Sequence, residues 1–135
     1  DVVVGREVDV AVLGRPDGSR VVAPMLEIVV AGLFGYDEKY GGTADFRIPA
    51  SLEEGQVKAL HDAALAVYDA LGCAGVARVD FFLTEEGPVV NEVNTMPGFT
   101  PISMYPQMWA ASGVSYPELL TALVDTALAR GTGLR

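Results

Sequence analysis

The chain has 135 residues, 9 Lys and Arg against 18 Asp and Glu for a net charge of −9, and half of its residues are hydrophobic. That is ample for a core, which excludes a disordered chain, and the acidic balance argues against a nucleic-acid coat or an anionic-membrane binder, both of which need a basic face. No apolar run approaches the roughly 20 residues of a membrane span; the single Cys73 excludes an internal disulfide framework and a multi-cysteine zinc site, so a reducing, cytoplasmic setting is the simplest reading.

The length suits one compact domain or one lobe of a larger protein. The sequence opens at Asp1 and runs straight into Val2-Val3-Val4 without a signal-peptide pattern, so it is expected to be the C-terminal part of a longer chain or a cut product. Lys39 and Lys58 are the only lysines, which leaves few candidates for lysine-dependent chemistry.

Residues 7–13 alternate apolar and polar and predict a strand. Gly14-Arg15-Pro16-Asp17-Gly18 reads as a turn, and the valine-rich residues 20–30 predict a second strand. Residues 31–47 carry four glycines and no clean period, and a long glycine-bearing loop of this kind is usually functional or mobile. Ser51 and Glu54 form a capping box that opens a helix with Val57, Leu60, Ala64, Val67 and Leu71 on one face, ending at Gly72. Val76–Leu83 and Pro88–Asn94 predict a hairpin, and residues 102–112 a short helix ended by Gly113. A second capping box, Ser115 to Glu118 with Pro117 in the first turn, opens a last helix whose apolar face is Leu119, Leu120, Leu123, Val124 and Ala127. Strands, hairpins and helices in this mixture predict an α+β fold.

The hairpin carries the chemistry. With Glu85-Glu86-Gly87 as a three-residue loop, Thr84 pairs with Pro88, Asp80 with Glu92 and Arg78 with Asn94. Alternation then puts Val79, Phe81, Leu83, Val89 and Val93 on a core face, with Asn91 a misfit among them. Arg78, Asp80, Phe82, Val90, Glu92 and Asn94 take the other face. Two carboxylates directly across a ladder repel, so a positive charge must offset them. Arg78 can supply part of it on a solvated sheet face; a divalent cation would supply more. Two carboxylates and the Asn94 carbonyl are hard oxygen donors that suit Mg²⁺ or Mn²⁺ rather than zinc. The following Asn94-Thr95-Met96-Pro97-Gly98 leaves the strand through a tight turn whose N–H groups could hold a phosphate or an oxyanion.

Together, Arg78-Val79-Asp80-Phe81-Phe82, Asn91–Thr100 and Ser103-Met104-Tyr105-Pro106, with Gly5-Arg6-Glu7 and Tyr36-Asp37-Glu38-Lys39-Tyr40, resemble the C-terminal signature of the D-alanine–D-alanine ligases, members of the ATP-grasp superfamily. Five separated motifs agree in order and spacing from about residue 1 to residue 130. The resemblance implies an ATP-grasp C-terminal catalytic domain over residues 1–135, with a largely antiparallel sheet, flanking helices and a mobile active-site loop at 31–47. The family's N-terminal D-alanine-binding domain and most of its central domain are not in this sequence. The implied activity is ATP-dependent joining of two D-alanine molecules through an acyl phosphate, for peptidoglycan precursor synthesis in the bacterial cytoplasm. Neither nucleic acid nor membrane is an expected partner, and the family is commonly dimeric.

The resemblance also assigns roles. Asp80 and Glu92 would ligate one Mg²⁺ or Mn²⁺, and Glu92 with Asn94 a second, both gripping ATP phosphates. Glu7 would accept from the ribose hydroxyls, Phe82 would help line the adenine pocket, and the adenine-hinge segment would end near Val3. Lys39 would reach a phosphate from the loop and meet the second D-alanine, and Tyr40 after Glu38-Lys39 resembles the enzymes that form a peptide rather than D-alanyl-D-lactate. Arg78 and the Gly98 N–H would stabilise the tetrahedral intermediate, while Ser103 and the Met104 backbone would hold the second D-alanine's carboxylate. Another ATP-grasp ligase, using D-lactate or D-serine, and a non-catalytic nucleotide-binding module are the alternatives. His61 is expected at the surface or boundary of its helix, Cys73 as a small buried hydrophobe, and Met104, Met108 and Trp109 as packing.

Overall fold

A computed structural model describes residues 2–29 and 45–130. Its elements in order are β1 (Arg6–Gly14), β2 (Arg20–Val22), β3 (Leu26–Val29), β4 (Asp45–Arg47), α1 (Glu54–Ala70), β5 (Val76–Thr84), β6 (Gly87–Asn94), α2 (Met104–Ala111) and α3 (Tyr116–Arg130). The strands form one open sheet in the order β4-β3-β1-β5-β6, with β2 also paired to β1, and every pairing is antiparallel. The α+β class and the largely antiparallel sheet are as expected.

Two apolar layers hold the sheet. On one face Val8, Val10 and Val12 of β1 and Ala77, Val79, Phe81 and Leu83 of β5 meet Leu60, Ala64 and Tyr68 of α1. On the other, Ala11, Leu13 and Leu26 meet Tyr105, Met108 and Trp109 of α2 and Leu119 of α3. Period two in β1 and β5 makes this possible, since alternate residues go to opposite faces. The Tyr105 hydroxyl, buried in the second layer, donates to the Val12 carbonyl at 2.8 Å and ties α2 to the central strand.

Several local expectations are corrected. The strand expected over 20–30 is broken at Ala23-Pro24-Met25, because proline has no N–H for the ladder. Val22 pairs with Val12 and Leu26 with Asp9, so the pairing shifts by one residue across the break. Part of the segment read as loop, Asp45–Arg47, is strand β4 against β3, while residues 31–44 lie outside the described residues. The helix opens at Glu53 rather than Ser51, and the Gln56 side chain accepts from the Glu53 N–H at 3.0 Å. Its buried stripe is Leu60, Ala64 and Tyr68; Val57 and Leu71 are exposed because the stripe follows the sheet's position, not the longest apolar series. Likewise in α3, Leu119 and Thr126 are buried while Leu120, Val124 and Ala127 face outward. The cap of α3 is as read, with the Ser115 N–H donating to Glu118 at 2.8 Å. His61 is half-exposed beside Asp62, and Cys73 is half-buried against the first layer rather than fully buried.

Candidate active site

The sheet face on which α2 and α3 pack also carries a polar strip. β1 is central, so both of its neighbours pin its register: Asp9 lies opposite Leu26 on one side and Asp80 on the other. Asp80 in turn lies opposite Glu92. One row across the sheet therefore reads Leu26, Asp9, Asp80, Glu92. One step along, Arg78 stands between Ala11 and Asn94, and one step the other way Phe82 stands between Glu7 and Val89.

The pairing of Asp80 with Glu92 and of Arg78 with Asn94 is as read from the sequence, by a different route. The hairpin closes with Thr84 opposite Gly87 rather than Pro88, around Glu85-Glu86, with Gly87 at a positive φ of 127°. A bulge between Asp80 and Phe81 then restores the register, since Phe81 pairs with Val90 and Asn91 is the extra residue. This explains the misfit: Asn91 occupies no regular core-face position. It also corrects Val89 and Val90, which exchange the expected sides and are both exposed on the edge strand.

Arg78 supplies the positive charge for this row. Its Nε donates to Asp80 Oδ1 at 2.7 Å and its Nη2 to Asp80 Oδ2 at 2.6 Å, a bidentate fork. The same Nε lies 3.2 Å from Asp9 Oδ2, and Nη2 lies 3.8 Å from Glu92 Oε1. The three carboxylates hold the guanidinium above its usual range, the Asp80 hydrogen bonds being the largest cause. Burial, with the charge of Asp80 next to it, pushes the Asp9 carboxyl up to about 7 against the opposing pull of Arg78. Asp9 is 2% exposed, and its Oδ1 has no hydrogen-bond partner.

Asp9 was not singled out from the sequence. The signal was there: it follows Glu7 by two on an alternating strand and so shares the face of the predicted site. What the sequence does not show is that β1 and β5 are neighbours, which alone puts Asp9 against Asp80.

The other predicted residues fall into separate groups. Glu7 is half-buried directly opposite Phe82, so the two positions read as ribose and adenine contacts are neighbours. Val3 is exposed in the irregular stretch before β1. Asn94 Oδ1 accepts from the Met96 N–H at 3.0 Å and so shapes the exit from β6. That exit is anchored by Phe99, whose ring packs against Tyr105 and Tyr116 and whose carbonyl accepts from the Tyr116 hydroxyl at 2.9 Å. Ser103 holds the N-cap position of α2 without a side-chain cap bond; its Oγ accepts instead from the Thr100 N–H at 3.0 Å, and a Cβ on Gly98 would stand 3.2 Å from it. Met104 begins α2 and is half-buried. Lys39 and Tyr40 lie outside the described residues. Among the described residues, no group of three or more His, Cys, Asp or Glu side chains is arranged to hold a metal ion. Nor is any helix there long and apolar enough to cross a membrane.

Comparison with known proteins bears on this arrangement. The family model described as D-ala D-ala ligase C-terminus matches residues 1–125, which include the whole polar strip. The D-alanine--D-alanine ligase of Mycolicibacterium smegmatis is 50% identical over 141 residues; the match covers 98% of this chain and 38% of that protein. The crystal structure of the D-alanine--D-alanine ligase from Bacillus anthracis complexed with ATP aligns with a TM-score of 0.80 at 28% identity, over 98% of this chain and 42% of that one. The VanG D-Ala:D-Ser ligase from Enterococcus faecalis aligns with a TM-score of 0.75 at 41% identity, over 92% of this chain and 36% of that one. The chain thus spans well under half the length of these relatives.

Proposed function

The chain belongs to the D-ala D-ala ligase C-terminus family, and from that membership we propose that it carries the ATP-binding and catalytic side of an ADP-forming ligase that joins two D-alanine molecules for peptidoglycan precursors. The observation that carries the reading is the register-locked strip of Asp80, Glu92, Arg78 and Asn94 within the family match. The reaction is a carboxylate activation. A D-alanine carboxylate oxygen attacks the γ-phosphorus of ATP and ADP leaves, giving an acyl phosphate. The amine of the second D-alanine attacks the acyl carbon, a tetrahedral species forms, and phosphate departs with the amide bond made.

This chain's residues have definite tasks in that scheme. Arg78 is a fixed planar cation at the edge of the strip, suited to charge that develops on a transferring phosphoryl group or tetrahedral oxygen. Gly98 leaves its N–H approachable, since any side chain there would crowd Ser103. Ser103 and the Met104 N–H, at the positive end of α2, suit the carboxylate of the second D-alanine. Glu7 and Phe82, neighbours across β1 and β5, suit the ribose hydroxyls and the adenine face, with Val3 at the hinge. Lys39 and Tyr40, outside the described residues, are proposed to meet the transferred phosphate and the second D-alanine.

The donor chemistry of the strip fits a hard divalent cation. Glu92 is 59% exposed in its side chain, and each Asp80 oxygen keeps acceptor capacity after one bond to Arg78. Asp80 and Glu92, and Glu92 with Asn94, would hold a pair of Mg²⁺ or Mn²⁺ ions, which when bound supply neutralising charge for the triphosphate. The cytoplasm is the proposed setting, with a homodimer the proposed assembly and the D-alanine-binding and central domains carried elsewhere in the same protein.

The test uses the protein at its natural length with ATP and Mg²⁺. ADP release that requires D-alanine and yields D-alanyl-D-alanine supports the reading. Release that requires D-serine or D-lactate as the second substrate moves the protein to a related ligase; the likeness to a D-Ala:D-Ser ligase makes D-serine the second reading. No turnover with any of these makes the chain a nucleotide-binding module.

A further inference from the structure

Asp9 is an expensive residue in its position. It sits mid-strand at 2% exposure, with apolar Leu26 opposite on one side and a second carboxylate, Asp80, on the other. Its Oδ1 has no partner. Neither packing nor sheet propensity asks for a carboxylate there, and Asp9 repels Asp80 directly across the ladder, while Arg78 would keep its fork to Asp80 without it. Among the described residues its ion-pair partner is Arg78, whose Nε lies 3.2 Å from Asp9 Oδ2.

We propose that Asp9 is a positioning residue that retains the Arg78 guanidinium when Asp80 turns its oxygens to a ligand. In this structure Arg78 spends its Nε–H and an Nη2–H on Asp80. A divalent cation bound to Asp80 would draw charge from the same two oxygens that receive the fork, and so weaken its hold on Arg78. Glu92 is a poor substitute anchor, being 3.8 Å away and largely exposed. Asp9 is buried within a strand paired on both sides and already beside Nε, so the guanidinium keeps one partner while its remaining donors serve the reacting group. Fixing a catalytic group in advance saves the cost of orienting it during the reaction. The anchoring rests on the nucleotide- and cation-binding part of the reading above, and its catalytic consequence on the ligation chemistry as well.

The experiment compares Asp9→Asn and Asp9→Leu with the wild type, each at natural length. Asparagine keeps the shape and removes the charge; leucine also removes the polar group, and serves if asparagine impairs folding. Thermal midpoints are expected to be unchanged or higher. With kcat and KM measured separately, kcat is expected to fall about 10- to 100-fold while KM for ATP stays within about threefold, the pattern of an interaction used in the transition state. Hydrogen exchange of the Arg78 Nε–H, followed by NMR with saturating Mg²⁺ and ADP, is expected to quicken at least about tenfold in both variants, as a lost fixed partner requires. Unchanged exchange in that complex overturns the anchor, as does unchanged kcat in an active enzyme. A wild-type protein that releases no ADP with D-alanine sinks the ligase reading, and the exchange measurement then decides the anchor alone.

Discussion

Replacing Arg78 with methionine tests the electrostatics of the strip directly. Methionine keeps much of the aliphatic stem and removes the cation that faces both Asp9 and Asp80. Those side chains are 3% and 7% exposed, so neither can be rehydrated without opening the sheet. Breaking a buried pair so that charge stays behind costs about 3–5 kcal/mol. Glu92, at 59% exposure, adds little, since exposed pairs contribute about 0–1 kcal/mol. The loss is limited by proton uptake. Asp9 already stands at about 7, with Arg78 as a lowering influence, and moves higher once Arg78 is gone. A carboxyl raised on folding gives stability that is fully present below its unfolded range and lost as pH rises through the folded value. The wild type has therefore taken its loss by about pH 7, whereas the variant goes on losing above it. Urea unfolding with chelator present should show a gap between variant and wild type that is wider at about pH 8 than at about pH 6. Adding Asp80→Asn to Arg78→Met should recover more than half of the loss, because the penalty is the stranded charge. A loss below about 1 kcal/mol at both pH values, or no recovery in the double variant, would refute the reasoning.

Other outcomes follow from the same geometry. Asp80→Asn or Glu92→Gln at natural length should lower Mg²⁺-dependent ADP release by about 100-fold or more, and near-normal kinetics would take both residues out of the site. Gly5→Ala would put a Cβ 2.8 Å from the Leu83 carbonyl oxygen, so the start of β1 must move off β5; a cost of about 1–3 kcal/mol is expected in urea unfolding. Tyr105→Phe should cost about 1 kcal/mol, measured the same way, by leaving the buried Val12 carbonyl without its 2.8 Å donor. Residues 1–135 alone should form little or no dipeptide in the ADP-release assay, and robust turnover would show that the segments shared by longer relatives are dispensable.

The sequence alone determined what depends on neighbours along the chain. Alternation set the faces of β1 and β5, and the Ser115–Glu118 box and the glycines at 72 and 113 marked helix limits. It also determined the family, because motifs such as Arg78-Val79-Asp80 and Asn91–Thr100 are read as identities and spacings. The tertiary structure decided everything that depends on which strands meet. Only the pairing of β1 with β5 brings Asp9 beside Asp80 and gives Arg78 a second carboxylate. The two-residue turn and the bulge at Asn91 were equally hidden, since they shift the register in opposite senses and leave Asp80 opposite Glu92 either way. The buried stripes of α1 and α3 were set by where the sheet lies, which local periodicity cannot state when apolar residues outnumber the positions available on one face.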